Sequence, residues 1–110
     1  MVGYEWKAGG TKQVAYVGVD GHVHELYVQV GKEWLVNDLT KIAGAPRALG
    51  FEILGGSIAG YEWGAGQSKQ VVFLSDADHH IHELYCQLGG DWALAHLTDI
   101  TGAPPYNVSS

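Results

Sequence analysis

The chain has 110 residues, of which 46% are apolar, 16% are charged and 16 are glycine, and its net charge is −6. Six scattered Lys and Arg residues make no clustered basic footprint for DNA or RNA, and no apolar run approaches the roughly 20 residues that cross a bilayer. One cysteine, Cys86, excludes an internal disulfide, and high glycine with low charge favours short strands and tight turns over long helices.

In chain order, the first predicted strand is GYEW (3–6), the second QVAYV (13–17), the third HVHELYVQ (22–29) and the fourth EWLVNDL (33–39). The runs are β-branched and aromatic and too short for convincing helices. Asp20-Gly21 is a hairpin signal of the type I′ kind, and Gly31-Lys32 marks a second hairpin. NDLTKIAGAP then predicts at most one turn of helix, with Asp38 capping its start, Gly44 ending it and Pro46 beyond.

The same phrases then return. GYEW at 3–6 recurs at 60–63, and KQV at 12–14 recurs at 69–71 with the same offset. From HELY onward the offset grows by one: HELY at 24–27 recurs at 82–85, Trp34 as Trp92, Leu39-Thr40 as Leu97-Thr98, and GAP at 44–46 as 102–104. The extra residue falls where GVDG in the first copy faces SDADH in the second, a turn that tolerates insertion. The second copy therefore predicts strands at SIAGYEW, KQVVFLSD, HIHELYCQL and DWALAHLT, with its own hairpin at Gly89-Gly90.

Four antiparallel strands in about 50 residues, with a tryptophan and fixed turns, are the format of a β-propeller blade. The expected architecture is all-β, with two four-stranded blades per chain. Residues 1–46 form the first blade, 47–59 the connector and the start of the next strand, 60–104 the second blade, and 105–110 a tail toward the next subunit. Two stacked blades leave two sheet faces open. Exposing apolar sheet at about 25 cal/mol per Å² is costly on the scale of a domain's stability. Closed propellers contain about four to eight blades. The chain is therefore expected to close a ring as a homo-oligomer, with three copies first and four second. Its abrupt start at MVGYEW and its stop at GAPPYNVSS fit a section of such a ring, and the start lacks the basic-then-apolar pattern of a secretion signal. A self-contained two-sheet sandwich is the alternative.

The pattern strand–D-G-x-[VI]-x-E–strand–G-x-x-W resembles the fucose-binding β-propeller lectins of fungi and bacteria. The longer string H-x-H-E-L-[YV]…W…[DH]-L-T…G-A-P is similar to tandem repeats of bacterial proteins. The lectin resemblance implies sugar sites between adjacent blades. An arginine on the second strand and a glutamate on the third hold the hydroxyls, and a tryptophan packs on the sugar's apolar face. The glutamate falls on Glu25 and Glu83, the tryptophan on Trp34 and Trp92, and the arginine position on Gln13 and Gln70. Glutamine is neutral and lacks the arginine fork, which departs from the pattern.

The residues by themselves leave several readings open. His22 with His24, and His80 with His82, each share a strand face and so offer imidazoles to a zinc or copper ion, against a packing role for a repeated position. HE is not followed by a histidine four residues on, which excludes a zincin helix. Glu25 and Glu83 serve either as carboxylates bonded between blades or as ligand-binding groups. Trp6 and Trp63 read as core, and Cys86, matched by Val28 in the first copy, reads as a buried strand residue. No catalytic constellation repeats, so no enzyme activity and no cofactor are expected, and no metal ligands are assigned. The expected function is carbohydrate binding at inter-blade clefts of an oligomer. A scaffold for protein partners without a sugar site, or a histidine metal site, is the alternative.

Overall fold

The computed structural model describes residues 1–50 and 57–107, so the expected connector and tail lie partly outside the described residues. The strands are β1 (Val2–Trp6), β2 (Thr11–Val17), β3 (Val23–Gln29), β4 (Leu35–Asp38), β5 (Ile58–Trp63), β6 (Ser68–Leu74), β7 (Ile81–Gln87) and β8 (Trp92–His96). They form two four-stranded sheets in the orders β1-β2-β3-β4 and β5-β6-β7-β8. Every neighbouring pair is antiparallel, as hairpin connections require. The architecture is all-β and compatible with two blades.

The two ladders have the same register. Val2, Ala15, Glu25 and Asn37 line up across the first sheet, and Ala59, Val72, Glu83 and Ala95 across the second. Strand edges depart from expectation by a residue or two. His22 and His80 stand just before β3 and β7, and Trp34 precedes β4 while Trp92 begins β8.

The turns follow from residue chemistry. Gln29 O accepts from Lys32 N with Gly31 at φ 76°, and Gln87 O accepts from Gly90 N with Gly89 at φ 79°, a left-handed position that glycine adopts without strain. The β2–β3 turn is not of type I′, because Asp20 does not take the positive φ that turn needs. Instead Gly21 N bonds to Gly18 O, Gly21 alone is left-handed, and Gly18 N closes the loop on His22 O. The Asp20 side chain accepts from His22 N, which stabilises this wider turn. In the second sheet Ser75 N closes on His80 O, so the loop there is one residue longer, at the point where the sequence places its inserted residue.

Two one-turn helices follow the sheets, α1 (Leu39–Ala43) and α2 (Leu97–Thr101). Asp38 caps α1 by accepting from Lys41 N, and Gly44 ends it in the left-handed region. The threonine of each L-T pair holds a strand end, since Thr40 Oγ1 accepts from Val23 N and Thr98 Oγ1 from Ile81 N, each at 2.7 Å. These bonds satisfy the amide that opens each third strand. After α1, Ala48 N bonds to Gly21 O and Leu49 N to Leu74 O, which ties the first sheet to the second.

The sheets pack face to face with β1 against β5. Gly60 makes the close approach possible, because a Cβ there would lie 2.7 Å from the Tyr4 ring. Ala15, Val23, Leu39 and Ala48 from the first half meet Val71, Phe73 and Leu84 from the second in one core. Strand alternation then leaves the other face of each sheet uncovered: Lys12, Tyr16, His24 and Trp34 on the first, Tyr61, Trp63, Glu83 and Tyr85 on the second.

Candidate functional site

The cleft between the sheets is built around a charge. Glu25, on β3, is fully buried at 0% exposure and reaches across to Lys69 on β6, Oε2 to Nζ 2.9 Å. Its other oxygen accepts from Asn37 Nδ2 at 3.2 Å. Lys69 is itself only 5% exposed, and its ammonium sits over three rings, with centroids at 4.7 Å for Trp6, 5.0 Å for Trp92 and 5.6 Å for Tyr27. Ring faces carry negative quadrupole potential, so they return part of the solvation the cation lost on burial. Deep burial, with the charges of Glu25 and Cys86 adding to it, raises the Tyr4 hydroxyl pKa far above its ordinary value. Burial likewise pushes the Cys86 thiol up, against the nearby Lys69 charge, as suits a packed rather than a reactive cysteine.

The six residues implicated in sugar binding are distributed unevenly around this cleft. Gln13 and Gln70 are buried, with their amide nitrogens turned to Thr11 and Ser68 on the same strands. Glu25 and Trp92 do come together across the sheets, but Lys69 stands between them. Trp34 is 51% exposed on the opposite face of its sheet from Glu25, beside Lys12 at 5.6 Å. Glu83 is half-buried on the outer face of the second sheet, where it hydrogen-bonds Tyr61; burial first, and then this carboxylate, raise the Tyr61 pKa. Within the chain, the Lys69 side chain fills the space between Glu25 and Trp92. Trp6 is buried as expected, whereas Trp63 is 60% exposed.

Lys69 is the cleft residue that sequence reading missed. The repeated KQV phrase places a lysine next to the buried glutamine in both copies, but Lys12 is exposed and only Lys69 lies between the sheets, so the phrase alone does not single it out.

A second cluster occupies the β2–β3 end of the first sheet and the matching end of the second. In the first, His22 Nδ1 bonds Asp38 Oδ2 at 2.8 Å, and His24 Nε2 lies 3.3 Å from Asp20. In the second, His80 Nδ1 and His96 Nε2 are 2.7 Å apart, and Asp78 Oδ2 is 3.4 Å from His80 Nδ1. His82 packs behind this pair, stacked between Phe73 and His96 at centroid distances of 5.4 and 4.2 Å. Burial and the neighbouring His96 push the His82 pKa down.

An open cleft of about 520 Å³ lies on the outer side of the first sheet, lined by Glu5, Thr11, Lys12, Gln29, Lys32 and Trp34. No described helix is long and apolar enough to cross a membrane. No protein-family model, curated protein or solved structure matches the chain.

Proposed function

We propose that this chain is a self-assembling propeller unit whose outer faces join head to tail, each copy repeating the contact that its own two sheets make. The observation that carries this reading is the Glu25–Lys69 cage and the two halves of an equivalent cage left open. Lys12 is the counterpart of Lys69 in the first KQV phrase and stands exposed over Trp34, as Lys69 stands over Trp92. Glu83, the counterpart of Glu25, lies on the opposite outer face among Tyr61, Trp63 and Tyr85, which match Tyr4, Trp6 and Tyr27. There Glu83 takes the Tyr61 hydroxyl in place of an ammonium. A second copy docked head to tail supplies Lys12 to Glu83, covers Trp34 and Trp63, and leaves one further face of each kind for the next copy. Such a contact is heterologous and closes only as a ring, with three copies favoured and four next.

Solution mass combined with charge reversal tests this. Wild type is expected at three or four times the 11.8 kDa chain. Lys12→Glu and Glu83→Lys each place like charges at the contact and should give folded single chains. The combined K12E/E83K chain re-forms the pair with reversed sign and should reassemble. A folded wild-type particle at the mass of one chain, at all concentrations, overturns the proposal.

Carbohydrate binding is the second reading, favoured by the open cleft beside Trp34. An exposed indole face stacks on the C–H face of a sugar while Glu5, Gln29 and Thr11 offer hydroxyl partners. It competes with assembly for Trp34. Titration of L-fucose and other monosaccharides into the charge-reversed single chains should quench Trp34 fluorescence, and Trp34→Ala should abolish the response. Silence across a glycan array, for both assembled and single chains, removes this reading.

A further inference from the structure

We infer that Asp78, His80 and His96 form a binding site for a divalent transition ion of the zinc class, at the β6–β7 end of the second sheet. The three donor atoms all lie within 4.8 Å of one another, and three different segments deliver them: the turn, the residue before β7 and the end of β8. Tetrahedral zinc at about 2.0–2.2 Å from nitrogen and oxygen ligands sets its donors about 3.3 Å apart. The Asp78–His80 separation of 3.4 Å already meets this, and the 2.7 Å between His80 Nδ1 and His96 Nε2 requires only a slight parting of two rings. Two imidazoles and one carboxylate are the donor set of zinc and its neighbours, and three protein ligands leave a position for water.

Two independent observations point to a ligand. The first is the exchange at one position between the halves. Asp38 caps α1 through Lys41 N, whereas His96, its counterpart in the second copy, precedes α2 and makes no side-chain cap bond. A lost cap typically means a several-fold less stable helix start. In its place His96 has a nitrogen-to-nitrogen hydrogen bond to His80 and a stacked contact with His82. A shared metal ion would hold both of those nitrogens more strongly than one neutral hydrogen bond does. The second observation is His82, only 5% exposed, whose Nδ1 has no hydrogen-bond partner among the described residues and whose ring braces His96 from behind. Stacking on His82 fixes the plane of the His96 ring while its Nε2 faces His80. The corresponding trio of the first sheet, Asp20, His22 and Asp38, is also compact, but there Asp38 is committed to the helix cap and to His22.

The experiment uses tag-free chain stripped with EDTA and titrated with Zn²⁺ by calorimetry, and with Co²⁺ by visible absorption. Saturable uptake of one ion per chain and a tetrahedral Co²⁺ band are expected. His80→Asn and His96→Asn should each weaken Zn²⁺ binding by at least the roughly tenfold that loss of an outer-shell partner costs. Asparagine at position 96 caps a helix as well as the aspartate found at position 38 but brings no anionic ligand, so this variant should keep native fluorescence and melt higher than wild type in EDTA, which separates lost ligation from lost folding. Absence of saturable uptake, or Zn²⁺ affinity in both variants equal to that of wild type, overturns the site.

Discussion

Glu25 and Lys69 show how a buried ion pair is made tolerable. Both carboxylate oxygens and the ammonium have partners: Asn37 on one oxygen, Lys69 on the other, and three aromatic faces around the cation. Removing one member leaves the other charged and dry. Glu25→Ala is therefore expected to lose about 3–5 kcal/mol in urea unfolding, while a double Glu25→Leu/Lys69→Met replacement, which removes both charges together, should lose much less. Equal losses in the single and double variants would show that packing, not charge pairing, dominates the cleft. The glutamate was legible in the sequence as either a carboxylate taking backbone or tyrosine hydrogen bonds between blades or a ligand group, and in the fold Glu25 bonds Lys69 and Asn37 instead. Its partner was not legible, because nothing local distinguishes Lys69 from Lys12.

At the scale of elements, the one-turn helices act as clasps. Thr40 and Thr98 accept the amide that opens β3 and β7, so each helix pins the third strand of its own sheet to the end of the fourth. Thr40→Val keeps the shape and removes the acceptor, leaving the Val23 amide buried and unpaired. A loss of about 1–3 kcal/mol follows, with early hydrogen exchange at Val23 as the local sign. Unchanged exchange there would assign the threonine to packing alone. The helix over 39–43, its Asp38 cap and its Gly44 stop were legible because caps are written in adjacent residues. The β2–β3 turn departs from its expected type because Asp20-Gly21 also suits a wider loop in which only the glycine is left-handed.

For the whole molecule, the approach of one sheet to the next is controlled by a glycine opposite a tyrosine. A methyl group at Gly60 would strike Tyr4, so Gly60→Ala should destabilise the isolated chain by about 1–3 kcal/mol. Gly3, its counterpart in the first copy, has nothing nearer than 3.6 Å to an added Cβ, so Gly3→Ala should leave the isolated chain unaffected. If a second copy docks as proposed, its Tyr61 lies over Gly3, and the same substitution should weaken assembly, read as a lower mass at matched concentration. Equal assembly by wild type and Gly3→Ala would place the contact elsewhere.

Strand positions, most hairpin turns, the first helix cap and the near-equivalence of the two halves follow from the sequence by itself, because period-two alternation and turn residues act over a few neighbours. Which member of each matched pair is buried was decided only by tertiary structure. Trp6 against Trp63, Glu25 against Glu83 and Lys69 against Lys12 have closely similar neighbours along the chain yet different environments. Burial of a sheet face depends on what packs against it, and in this chain each sheet has a neighbour on one face only.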